Sequence, residues 1–240
     1  MQLKKITKSS ETPHRRWYND ACGTAHALEL VGERWALLIV RELMFGPKRF
    51  SDLRADLPGI SANILTQRLE GLERAGIVIR TKLLPPASTQ VYELTPWGYE
   101  SEPIFQALGR WAARSPEHDP SLPLSAASLM LSLRTMIDPP RAEGIDARIG
   151  FRLGGESFLA HLARGRIEIA RAATDEADLV FKGAPEAVAA AIYGEQPTAA
   201  LEAGGMLGLE GDRELAGRFV TLFRLPPKAD HPLAATSQEG

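Results

Sequence analysis

The chain has 240 residues, 44% of them hydrophobic and 24% charged, a balance that suits one large or two ordinary packed domains and excludes a wholly disordered chain. No apolar run approaches the roughly 18 residues of a membrane span, and the single cysteine, Cys22, excludes an internal disulfide and a cysteine-based zinc site. The net charge of −2 conceals an asymmetry: residues 1–115 carry 16 Lys+Arg against 12 Asp+Glu, whereas residues 116–240 carry 12 against 18, so the first half suits a polyanion and the second suits something else.

The basic N-terminus has no apolar segment behind it, so no signal peptide and a cytoplasmic location are expected. Asp20 is placed to cap a helix through about Val31, and a second helix is expected from about Glu33 to Phe45, ended by Gly46–Pro47. Phe50, Leu53 and Leu57 mark a short third helix, stopped before Pro58–Gly59. Ser61 is a natural N-cap for a fourth, whose Ile64, Leu65, Leu69 and Leu72 face a core while Asn63, Thr66, Gln67, Glu70 and Arg74 share the other side. Gly76 stands where a helix end favours glycine. Two strands, "IVIRTKLL" and "TQVYELT", flank the turn "PPAST", and "PWGYESEPIFQALGRWAA" reads as one further helix.

Two short helices around a tight Pro-Gly turn, followed by a β-hairpin, are the pattern of a winged helix, mainly α with a β-hairpin wing. The second helix of such a pair enters the DNA major groove. Asn63 and Gln67 carry amides suited to adenine, Thr66 suits a thymine methyl or a phosphate, and Ser61 with the first-turn N–H groups suits phosphate. Lys48 and Arg49 ahead of the pair, and Arg80 and Lys82 on the hairpin, are further candidates for the DNA backbone. Glu70 would repel DNA and is expected to lie beyond the contact surface.

From Ala21 to Arg80, the fragments "GERW" at Gly32–Trp35, "G..RF..L" at Gly46–Leu53 and "PGIS...L..RL..LE..G" at Pro58–Gly76 resemble the HxlR-type winged helix-turn-helix regulators of bacteria. "YELTPWG" at Tyr92–Gly98 and "LGRW" at Leu108–Trp111 extend the likeness over about residues 18–114. One departure is Gly23 after Cys22, where the family usually has proline. The resemblance implies binding to a double-stranded DNA operator as a homodimer paired through the first and last helices of the domain, for which Ile104, Phe105, Leu108 and Trp111 offer apolar surface. It also raises redox sensing at Cys22, where a helix N-terminus and nearby Arg15 and Arg16 favour thiolate. The alternative is a small packed side chain.

The segment Ser115–Ala126, with its prolines, reads as a linker, and Leu225–Gly240 as a mobile tail. Between them "LSAASLMLSLRTMI" is an amphipathic helix. "DARIGFRLGG", "ESFLAHLARG" and "RIEIARAA" alternate as an antiparallel meander, and "ADLVFKG" and "MLGLEGD" supply two more strands. Helices are expected at "PEAVAAAIYG", around Leu201 and at "RELAGRFVTLFRL". The result is an α+β domain over about residues 122–226, a sheet with one helical layer. The order of these elements and the "LEGD" step at Leu209–Asp212 look like the sterol carrier protein type-two fold, which implies an apolar tunnel. Candidate lining residues are Phe151, Phe158, Ile169, Phe181, Ile192, Met206, Phe219 and Phe223, with a cavity expected around Ile192 and Phe219. The alternative is that they fill a core.

His161 has no nucleophile near it in sequence, the glycine-rich stretches lack phosphate-loop spacing, and no metal-ligand cluster is evident, so neither an enzyme, a metal nor a cofactor is expected. The expectation is a homodimeric DNA-binding regulator modulated by a hydrophobic small molecule. Its rival is a lipid-carrier or interaction module whose winged helix serves only dimerisation.

Overall fold

The structure, a computed structural model, describes residues 18–83 and 89–230. The N-terminal part runs α1 (Gly23–Val31), α2 (Ala36–Leu43), α3 (Phe50–Asp56), α4 (Ala62–Arg74), the hairpin strands β1 (Val78–Lys82) and β2 (Gln90–Leu94), then α5 (Pro96–Tyr99) and α6 (Glu102–Ala112). Cys22, not Asp20, occupies the N-cap of α1; the Asp20 carboxylate instead accepts the Cys22 N–H at 2.9 Å. The second helix begins three residues later than expected because Trp35 lies in the left-handed region, φ 79°, where a bulky residue is strained. The helix expected as one piece after β2 is two, because Thr95 caps the first and Pro103 opens the second. The "PPAST" turn, apart from Thr89, and Arg15 and Arg16 lie outside the described residues.

The C-terminal part follows as α7 (Ala126–Met136), α8 (Pro139–Ala142), β3 (Ala147–Leu153), β4 (Glu156–Ala163), β5 (Arg166–Arg171), β6 (Leu179–Gly183), α9 (Pro185–Tyr193), α10 (Thr198–Ala203), β7 (Leu207–Gly211) and α11 (Arg213–Val220). The five strands stand in the order β5-β4-β3-β6-β7. β3, β4 and β5 form the expected antiparallel meander, β6 adds parallel to β3 with Phe151 opposite Phe181, and β7 closes the far edge antiparallel. Alternation puts Ile149, Phe151, Phe158, Ala160, Leu162 and Phe181 inside, and leaves Arg148, His161 and Glu168 in one exposed cross-strand row. No helix among the described residues is long and apolar enough to cross a membrane.

The two parts share one continuous apolar core. Phe45 of the winged helix meets Phe158 of β4 edge-on, ring centroids 5.6 Å apart, and the Arg134 guanidinium lies 4.7 Å from the Phe45 ring centroid. The stretch read as a mobile tail is anchored as far as it is described. Lys228 Nζ donates to the carbonyls of Ala113, Ser115 and His118, a cation set at the end of α6. Ala229 N donates to Arg114 O at 2.7 Å. Residues 231–240 lie outside the described residues.

Candidate nucleic-acid interface

Helix α4 starts where Ser61 turns extended and its Oγ accepts the Ile64 N–H at 3.3 Å. Leu65, Leu69 and Leu72 bury one face, and 3.6-residue periodicity leaves Asn63, Thr66, Gln67, Glu70 and Arg74 exposed on the other. The Thr66 hydroxyl donates back to Ala62 O at 3.0 Å, so it offers a partner its methyl group and oxygen lone pairs. Arg68, on the flank, was not singled out from the sequence. It pairs with Glu33, and its Nε donates to Arg34 O at 3.0 Å, which fixes α4 against the turn between α1 and α2. Gly76, at φ 72°, ends the helix and sends the chain into the wing.

The candidate basic residues divide. Arg49 and Lys82 are exposed, as are Arg54 and Arg74, which were not chosen from the sequence as DNA contacts. Arg80 is exposed but already engaged: its guanidinium pairs with Glu73 at 2.9 Å and lies 5.5 Å from the Tyr92 ring centroid. The hydrogen bond to Glu73, then the charges of Tyr92 and Glu73, raise its pKa.

Lys48 does not belong to this face. Its backbone pairs with Tyr92 of β2 (3.0 and 2.9 Å), which turns the side chain inward, where 2% of the residue remains exposed. Nζ lies 2.5 Å from Asp56 of α3, 3.3 Å from Glu42 of α2 and 3.0 Å from Glu156 of β4. Burial alone would lower its pKa, but Glu42, Asp56 and Glu156 together hold it above the usual lysine value. Glu42, fully buried, also takes a hydrogen bond from Ser125 Oγ at 2.6 Å, and that same oxygen caps α7. Sequence spacing gave no sign of this network, because Glu42, Lys48, Ser125 and Glu156 meet only through the tertiary fold. One lysine thus ties the wing and two helices of the N-terminal part to the sheet.

Cys22 is exposed, and the N–H groups of Ala25 and then Thr24 lower the pKa of its thiol, although no capping hydrogen bond closes.

The residues expected to line a tunnel are placed differently. Phe151, Phe181, Phe219 and Phe223 form a chain of ring contacts 5.0–5.9 Å between centroids. All four, with Phe158, are buried in side-chain packing. Ile169 and Ile192 are buried too, and Met206 is 53% exposed. Phe219 of α11 packs on both Phe151 and Phe181 and so fills the space between helix and sheet. The space expected around Ile192 and Phe219 is therefore core. Open space lies outside this layer, in grooves of about 470 Å³ beside Leu122, Leu201 and Met206 and about 550 Å³ where α6, α7 and α9 converge.

A family model for HxlR-like helix-turn-helix proteins matches residues 30–120, and one for the SCP-2 sterol transfer family matches residues 130–224. YodB, an HTH-type transcriptional regulator of Bacillus subtilis (strain 168), is 40% identical over 86 residues, which are 36% of this chain and 77% of YodB. YvaP, an uncharacterized HTH-type transcriptional regulator of the same organism, is 37% identical over 87 residues, 36% of this chain and 80% of YvaP. The solved structure of the reduced form of YodB is 37% identical and spans 41% of this chain and 98% of that one, with a TM-score of 0.37.

Proposed function

The chain belongs to the HxlR-like helix-turn-helix family, whose relatives are DNA-binding transcriptional regulators, and on that footing we propose how its parts divide the work. Helix α4 enters the major groove, where Asn63 and Gln67 read base edges. Ser61, Arg49 and Lys82 hold the phosphate backbone, with Arg80 joining once it releases Glu73. The chain acts as a homodimer through α1 and α6. The sterol-carrier-like part, which is not a catalyst, answers an apolar small molecule.

One observation carries this division: the first two turns of the exposed side of α4 present amides and a hydroxyl at Asn63, Thr66 and Gln67, with Glu70 and Arg74 beyond them, whereas the buried side is leucine, and Arg68 holds the helix at a fixed angle.

Gln67→Ala should cost roughly 1–3 kcal/mol on the cognate duplex and relax specificity at the position it reads. Lys82→Ala should weaken all duplexes alike and reduce the dependence of affinity on salt. Fluorescence anisotropy on cognate and scrambled DNA separates the two effects. Equal losses on both duplexes for both variants would overturn the assignment.

A further inference from the structure

The groove where α6, α7 and α9 converge is lined by Leu38 of α2, Phe105, Leu108 and Gly109 of α6, Leu131 of α7 and Tyr193 of α9. At about 550 Å³ it falls in the usual size range of small-molecule sites, about 300–1,000 Å³. Its wall is mostly apolar and belongs to both parts of the molecule. The core behind it is filled, and of the grooves that touch both parts this one has the most apolar wall.

Its polar fixtures are few. Tyr193 Oη and Ser132 Oγ lie 2.7 Å apart, and neither has another hydrogen-bond partner among the described residues. Two hydroxyls share one bond, so one proton is left without an acceptor. Burial raises the Tyr193 pKa, which keeps the phenol neutral and able to donate. A second fixture is His118, whose buried Nδ1 has no partner among the described residues. The two charged residues on the wall already have partners: Arg41 gives Nε and Nη2 to Glu42 (3.0 and 2.7 Å), and Asp119 Oδ1 accepts from Ser121.

We propose that this groove is the effector site, and that its ligand is an uncharged, largely apolar ring compound bearing one hydroxyl or carbonyl, which accepts the spare proton of the Ser132–Tyr193 pair. This assignment rests on the effector-responsive function proposed above and moves the site from the sheet core to the junction of the two parts. The opposite side of α6 carries exposed Ile104 and Trp111, the surface proposed for pairing. A ligand against Phe105 and Gly109 therefore presses on the back of the dimer helix, and by linkage it favours the dimer arrangement in which it fits better.

The test uses the full-length protein and three probes of one shape: naphthalene, 2-naphthol and 2-naphthoate. Binding by calorimetry and by melting temperature should rank 2-naphthol first. Gly109→Leu places a side chain where a Cβ meets nothing within 4 Å, so the helix tolerates it while the groove fills. That variant should lose binding of 2-naphthol and naphthalene alike, by tenfold or more. Ser132→Ala with Tyr193→Phe removes both hydroxyls. It should erase the preference for 2-naphthol while naphthalene binds as before. If Gly109→Leu binds 2-naphthol as the parent does, the site lies elsewhere and only this assignment falls. Preference for 2-naphthoate would overturn the ligand class. Should the parent bind none of the three, the effector-responsive function falls with the site.

Discussion

At the scale of single residues, Lys48 separates what is local from what is not. Next to Arg49 it looks like a second phosphate contact, and only the pairing of its backbone with Tyr92 directs it into three carboxylates. Removing one member of a buried ionic network strands the rest, so Lys48→Met should cost roughly 3–5 kcal/mol in chemical denaturation. The sign of its pH dependence follows from a folded pKa raised above the free value. The stabilisation is fully present below about pH 10.4 and is lost as pH rises through the folded value. On the alkaline side, parent and variant should therefore converge only in strong alkali; convergence already at pH 8 would contradict the network. The N-cap of α4 and the exposure of Asn63 and Gln67 were legible in sequence, because a helix of this length repeats its own pattern. The fate of Phe151 and Phe219 was not. Alternation says which side a residue faces, but whether that side is a tunnel or a packed core depends on what the opposing helix brings to it, and here Phe219 of α11 fills it.

At the scale of elements, α6 carries both proposed surfaces, the groove and the pairing stripe, on opposite sides. Phe105, Leu108 and Gly109 line the groove, whereas Ile104 and Trp111 stand outside it and are exposed, with Trp111 at 73%. A tryptophan so open on an apolar stripe fits the pairing surface proposed above. Trp111→Glu should shift the protein from dimer to monomer in sedimentation velocity while its circular dichroism is unchanged. A variant that remains dimeric would place the pairing surface elsewhere. The order of elements was readable apart from the division of α5 from α6 and apart from α8, for which the Asp-Pro-Pro at 138–140 is a cap followed by helix-starting prolines. Boundaries were less readable wherever tertiary demand intervenes, as at Trp35, whose left-handed backbone delays α2.

At the scale of the whole molecule, the linker read from the prolines of Ser115–Ala126 does not leave two independent units. The Phe45–Phe158 contact and the Lys48–Glu156 pair lock the winged helix onto the sheet, and the Arg134–Glu102 pair (2.7 Å) ties α6 to α7. Such closeness lets a change beside α7 or α9 reach α6 and α3 through packed side chains, without a long mechanical path. The central claim remains that the exposed face of α4, presented twice by a dimer, reads DNA sequence. Sequencing the genomic fragments retained by the full-length protein tests it most directly. The expected result is an inverted repeat whose half-sites lie about one helical turn, or a multiple of it, apart. That repeat should lose definition when Gln67→Ala replaces the parent. Fragments recovered without any shared sequence, or an unchanged motif from Gln67→Ala, would contradict it.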